Sequence, residues 1–209
     1  MGGSAFVTES WRAQVAALVM AWYPGMRGGD AVARLLFGDV NPSGKLPCTW
    51  PRSEAQLPPF DRRTRRIRYG PLHGYRLMQA EHRDPAFWFG FGLSYTTFAL
   101  GAPRVDRGSV VVEVRNTGPR PGDEVVQLYV DLALGSDARA LRTLRGFDRV
   151  SLEPGQSQVV RFPLAPNWRV VHVGTSADPR TSRRLAISPA SAAAGSDSAT
   201  QPMHMRPVL

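Results

Sequence analysis

Carboxylates are the residues here whose type and number could do chemistry. Glu9, Asp30, Asp39, Glu54, Asp61, Glu81 and Asp84 stand in the first half of the chain, and Asp123 and Glu124 are among those in the second. Two carboxyl groups that face each other can hydrolyse a glycosidic bond, one as nucleophile or base and the other as acid. Spacing does not show which of these groups meet, and each has a structural reading. Asp30 suits the first turn of a helix, Asp39 a turn, and Asp123 the start of a strand.

Other chemistries find less support. Cys48 is the only cysteine, so no internal disulfide can form, and without a histidine beside it the thiol reads as structural. His73, His82, His172 and His204 are scattered, with no i, i+4 pair and no neighbouring cysteine, so no metal site and no cofactor are expected. Gly25, Gly28 and Gly29 lack both the lysine of a phosphate loop and the spacing of a dinucleotide loop, and read as a tight turn into a helix. Ser94, in GLSYT, is outside the strand-elbow-helix context that exposes a hydrolytic serine.

The net charge of the 209 residues is +9, carried by arginine, with Lys45 the sole lysine. The densest run is DRRTRRIRYG, where Arg62, Arg63, Arg65, Arg66 and Arg68 sit beside Tyr69. Such a run could bind a phosphate backbone with steep salt dependence. Its reading here is a solvated loop, because charge runs are commonly only solvated. Uniform use of arginine points to coding bias, and nucleic acid is not an expected partner. No apolar run reaches the roughly 20 residues of a membrane span, and MGGSAFVTESWRAQ lacks the basic and apolar parts of a secretory signal.

Elements that could position these groups follow from periodicity. VAALVMAWY, residues 15–23, is consistent with a strand buried on both faces of a parallel sheet, or with a buried helix segment. PGMRGGDAVARLLFG then predicts a helix, with Val32, Leu35 and Leu36 at helical spacing and Gly38 at the cap. NPSG, residues 41–44, fits a type I turn. From Pro51 to about Phe98 no period holds, yet Phe87, Trp88, Phe89, Phe91, Tyr95 and Phe98 are too apolar for a free linker. After Pro103 the period becomes two: SVVVEVRN, EVVQLYV, RGFDRVSL, SQVVRFPL and WRVVHVG predict short antiparallel strands separated by turns such as NTGPRPGD and LEPGQ. From about Ser176 the chain is rich in Ser, Ala, Pro and Arg, and disorder is expected.

WYPGMRGGDAVARLLFGDVNPSGKLPCTWPR resembles the end of the second, α/β sandwich domain of glycoside hydrolase family 3, especially its β-glucosidase type. HGYR and FWFGFGLSYTTF are similar to the family's passage into its last domain, and NTGPRPGDEVVQLYV with LRGFDRVSLEPGQS resembles its fibronectin type III-like module. The resemblance implies an α/β end-piece, the last strand-helix unit of the sandwich domain, over 1–60. An aromatic and arginine-rich connector over 61–103, an all-β sandwich over 104–175 and a disordered tail over 176–209 would follow.

Members of that family are retaining glycosidases. The resemblance places their aspartate nucleophile on an N-terminal barrel and their glutamate acid/base upstream of the WYPG element. No residue of this chain matches either motif, so no catalytic residue is assigned and substrate-binding residues stay unknown. The implied role is scaffolding a parent that acts on β-linked glucosides or oligosaccharides, with the barrel domain as the missing partner and the chain itself inactive. A free-standing module that binds carbohydrate or protein is the alternative.

Two departures bear on the fold. Arg27 stands where the family often has an acidic residue. The stretch from Leu164 to Val173 is short, which predicts an incomplete sheet edge. A terminal strand and helix without their sheet predict marginal stability or oligomerisation.

Overall fold

The computed structural model describes residues 2–59, 61, 63–66, 70–134 and 137–188. Among the described residues two α-helices, α1 (Gly28–Leu36) and α2 (Tyr75–Ala80), precede eight strands. These are β1 (Phe98–Leu100), β2 (Arg104–Asp106), β3 (Ser109–Asn116), β4 (Gly122–Leu134), β5 (Asp137–Leu152), β6 (Ser157–Pro163), β7 (Val170–Gly174) and β8 (Arg183–Ala186).

All strand pairs are antiparallel. In one sheet β3 is central: β6 lies along one side, while β1 and β2 share the other by pairing with its two ends. The second sheet runs β5-β4-β7-β8. Alternation along each strand builds the sandwich core. Val110, Val112 and Val114 of β3 meet Val126, Leu128 and Val130 of β4, and Val160, Phe162, Val171 and Val173 complete the same buried cluster. The segments expected as strands from their period of two all form strands.

The opposite face of β4 is used as well. Gln127 and Tyr129 are also buried, beneath the aromatics of the connector. Tyr75 lies edge-on to Tyr129 at 5.8 Å and 5.6 Å from Phe89, and Met78, Trp88, Tyr129 and Ala177 form a second buried cluster. The connector is therefore packed, as its aromatic content predicts. Gly90, at φ 80°, passes so close to Gln127 that a side chain there would collide with the amide.

Four local expectations change. The run 15–23 forms no strand among the described residues, and Val19 is 55% exposed. A strand takes its hydrogen bonds from neighbours, and among the described residues no strand pairs with it. The helix that follows does form: Asp30 is in its first turn, Gly38 follows its end at φ 80°, and Arg27 at its N-cap is offset by an ion pair with Asp30 at 2.8 Å. NPSG makes no turn, because the Asn41 side chain is spent on distant partners. Its oxygen accepts from Ser94 Oγ and Tyr95 N–H, and its nitrogen donates to the Pro121 carbonyl.

The remaining two concern the far end. β7 is not left as the open edge, since β8 pairs with it from Val170↔Ala186 to Val173↔Arg183. The strand that closes it comes from the segment read as disordered. Ala177 and Ile187 are 1% and 5% exposed, and an Asp178 turn, in which Arg180 N–H donates to the Asp178 carboxylate at 2.9 Å, reverses the chain. The part of that expectation covering 189–209 lies outside the described residues.

Ile187→Ala separates the two readings of this segment. Truncating a buried isoleucine costs about 2–5 kcal/mol, whereas a disordered residue would leave stability unchanged. Urea unfolding followed by circular dichroism should show the larger loss, and a midpoint within error of the parent chain would contradict β8.

Candidate functional site

Of the nine carboxylates singled out by sequence, Glu9, Asp30, Glu81, Asp84, Asp123 and Glu124 are tied to cations. Glu9 pairs with Arg12 at 3.0 Å, Glu81 with Arg83 at 3.0 Å, Asp84 with Arg180 at 3.5 Å, and Asp123 with Arg149. Asp61 caps its own loop by accepting from Arg63 N–H at 2.8 Å. A glycosidase acid needs a carboxyl whose proton affinity is raised. Burial works to raise Asp178 and Asp123. The hydrogen bonds of Arg180 outweigh it at Asp178, and those of Ser151 and Arg149 do so at Asp123, so both end below the ordinary range.

Glu124 forms a nearly buried pair. Its Oε1 lies 2.6 Å from Nζ of Lys45 and also accepts from the Val125 N–H at 2.7 Å. Both side chains are nearly buried, at 14% and 9% exposure. This pair crosses the seam between the first part of the chain and the sandwich. Asn41 donating to the Pro121 carbonyl, Arg120 donating to the Gly38 carbonyl and Arg149 donating to Ser43 Oγ run alongside it.

The remaining sequence candidates are structural. Burial pushes the Cys48 thiol up against the opposing hydrogen bond with Trp50, which makes it a poor nucleophile. Ser94 Oγ donates to Asn41 at 2.9 Å, and His73 Nδ1 lies 2.9 Å from the Gly70 carbonyl. Gly28 packs against Pro24 at the entry to α1. Of the arginine run, Arg63, Arg65 and Arg66 are exposed, and Arg62 and Arg68 lie outside the described residues, as does His204. Among the described residues no group of three metal-ligating side chains comes together.

What the fold does assemble is a cavity of about 500 Å3 where α2 and the connector meet the second sheet. Met78, Trp88 and Leu141 are its apolar part, while Asp131, Arg142 and His172 are polar groups in its wall. Register explains the central contact: Tyr129 is opposite His172, so Asp131, two residues along β4, shares its face. His172 Nε2 lies 3.0 Å and 3.1 Å from the two Asp131 oxygens. Burial lowers the affinity of His172 for a proton, with Arg142 and Arg184 adding to it, and Asp131 does not fully compensate. A carboxylate oxygen only accepts, so the imidazole donates through Nε2–H in this contact. Burial likewise lowers Arg142, opposed by Asp131, Tyr129 and Asp178. In the sequence His172 stands isolated, and neither Asp131 nor Arg142 belongs to a motif. They are far apart in the chain, and only strand register could have joined them.

Residues 1–95 match the glycosyl hydrolase family 3 C-terminal domain, and residues 124–177 match the fibronectin type III-like domain. A β-xylosidase from Formosa agariphila is 45% identical over 72% of this chain, and a periplasmic β-glucosidase from Salmonella typhimurium is 39% identical over 72%. The chain spans 21% of the length of each. β-Glucosidase 3B from Thermotoga neapolitana superimposes with a TM-score of 0.78 at 31% identity, over 89% of this chain and 30% of that one. The β-glucosidase from Kluyveromyces marxianus gives 0.73 at 34% identity, over 86% and 25%. The resemblance read from the WYPG, HGYR and NTGPRPGD motifs is borne out.

Two outcomes follow from the electrostatics. Lys45→Met leaves Glu124 charged and unpaired at the seam and should cost about 3–5 kcal/mol in urea unfolding. The double variant Lys45→Met, Glu124→Gln should recover a good part of that loss, and additive losses would contradict the pair. For His172 the folded pKa lies below the unfolded value of about 6.5. Its contribution is thus present above about pH 6.5 and lost as pH falls through the lowered folded value. Melting temperature should drop from pH 7.5 to 5 and drop less in His172→Gln, while an identical slope in the variant would contradict the assignment.

Proposed function

This chain belongs to glycoside hydrolase family 3 through its C-terminal domain and fibronectin type III-like domain, and on that premise we propose that it is the C-terminal scaffold of a β-glucosidase-like enzyme. It braces the domains that carry catalytic carboxylates and supplies none itself. Its substrates, as part of that enzyme, are β-linked glucosides or oligosaccharides, and its partner is the barrel domain.

One observation carries this reading: residues 15–40 are anchored to the sandwich near their end and leave large apolar side chains uncovered along the rest. Leu35 accepts from Tyr95 Oη at 2.7 Å and Gly38 from Arg120 at 3.2 Å. Leu18, Val19, Tyr23, Met26, Leu36 and Phe37 are exposed, Phe37 to 85%. Apolar surface on this scale is a docking face. An apolar run open on both faces suits the interior of a parallel sheet, which is what the rest of a sandwich domain would provide. Among the described residues no helix is long and apolar enough to cross a membrane.

The purified chain should release no nitrophenol from an aryl β-glucoside. A chimera in which residues 2–188 replace the matching part of the Salmonella relative should fold and hydrolyse that substrate. Turnover by the isolated chain that survives repurification would overturn the scaffold reading, and so would a chimera that folds but shows no activity.

A further inference from the structure

The scaffold role leaves the arginine run without a use. Asp61 and residues 63–66 lie outside helix and strand and are exposed. Their hydrogen bonds among the described residues stay within the loop. Arg63 N–H donates to the Asp61 carboxylate at 2.8 Å, Thr64 N–H to the Asp61 carbonyl at 3.3 Å, and Thr64 Oγ1 to the Arg66 carbonyl at 3.1 Å. Arg65 has no hydrogen bond and no ion pair among the described residues. Other arginines are less available. Arg34 and Arg161 lie inside α1 and β6, Arg107 sits in the tight turn between the paired strands β2 and β3, and Arg52, Arg83 and Arg180 have their guanidinium groups held by carboxylates.

The two flanks of the loop are fastened to each other. Arg52 Nε and Gln56 Nε2 both donate to the Asp84 carbonyl at 3.1 Å, and Arg83 donates to the Ala55 carbonyl at 3.1 Å. Behind them Trp50 N–H donates to the Phe87 carbonyl and Ala86 N–H to the Trp50 carbonyl, both at 2.8 Å. Gly90 N–H donates to the Leu46 carbonyl at 2.8 Å, and Leu46 N–H to the Phe91 carbonyl at 2.9 Å. Trp50 is 2% exposed and lies edge-on to Phe87 at 5.9 Å, and the Lys45–Glu124 pair stands at the far end of the same stretch. Neither buried cluster draws a residue from 2–59, so this part is seated by these contacts on a body that has its own cores.

We propose that the loop at residues 63–66 is a cleavage site for arginine-directed endoproteases, and that the cut chain persists as two assembled pieces. A free guanidinium is what an acidic specificity pocket takes. The step is hydrolysis of the Arg65–Arg66 peptide bond. Its C–N bond breaks, and water gives a hydroxyl to the Arg65 carbonyl carbon and a proton to the Arg66 nitrogen. The loop contributes none of the contacts across the joint, so the cut removes only the covalent link. Association then becomes bimolecular, and the pieces part only on dilution below their affinity. The nicked state rests on the contacts of this chain and not on the scaffold role.

The test is limited digestion of the full chain with trypsin, read twice: by mass spectrometry after denaturation and by size exclusion without it. The first cuts between residues 2 and 188 should fall after the arginines of the run, at least about tenfold faster than at any other basic residue, because elsewhere structure must open first. Both pieces should then elute together at the volume of the uncut chain. Changing the run as Arg62→Gln, Arg63→Gln, Arg65→Gln, Arg66→Gln and Arg68→Gln should lengthen the life of the intact chain about tenfold. First cuts elsewhere, an unchanged lifetime in that variant, or pieces that elute apart would each overturn the proposal. Because the digestion is read on the chain itself, a failure here is distinguishable from a failure of the chimera.

Discussion

The chain holds together across one seam, and the pair between Lys45 and Glu124 is its fixed point. Burying two charges costs several kcal/mol each unless their remaining bonding capacity is met. Here it is met: Glu124 also accepts from the Val125 amide, and Lys45 reaches the Gly92 carbonyl at 3.4 Å. The surroundings show why an ammonium is used. Gly92 and Gly44 approach so closely that a side chain on Gly92 would strike the Gly44 carbonyl. A compact, tetrahedral donor fits such a slot, whereas a planar guanidinium needs room for its fork. In a chain with 26 basic residues the sole lysine sits here, against a strong bias toward arginine.

From that point the rest of the arrangement follows. The pair locks the NPSGKLP segment to the start of β4, and β4 supplies both cores: Val126, Leu128 and Val130 to the sandwich, Tyr129 to the aromatic cluster beneath the connector. A register shift between Leu128 and Tyr129 preserves this division while the β4-β5 ribbon continues beyond the sandwich. The same face of β4 then carries Asp131 toward His172, so the cavity is a consequence of how the connector is seated.

Legibility tracked the range of the determining interactions. The valines of β3 and β6 alternate because one face is buried, and alternation is visible locally. So is the start and stop of α1. β8 was missed because the apolar residues of RRLA, Leu185 and Ala186, are adjacent and show no alternation, and its identity as a strand comes from β7 beside it. The run 15–23 misled in the opposite sense, with ample β-forming character and no neighbour to pair with. Asn41 was read as a turn former, but its amide binds residues more than 50 positions away. The cavity was hidden for the same reason. Asp131 and His172 are ordinary on paper and become a pair only through register. Family motifs reached what periodicity could not, since the order of WYPG, HGYR and NTGPRPGD carried the family resemblance without any distance.

The closure of the second sheet by residues 183–187 also has a consequence in time. During synthesis β4 emerges long before β7 and β8, and its two core faces must wait for Val171, Val173 and Ile187 to appear. Pairings between distant segments form slowly because loop closure precedes the reward of contact. The seam is therefore formed late, since its last hydrogen bonds, from Ala177 to Phe89 and from Gln79 to Ala177, depend on the same late residues. Until then the connector aromatics that pack with Ala177 lack part of their cover on the nascent chain.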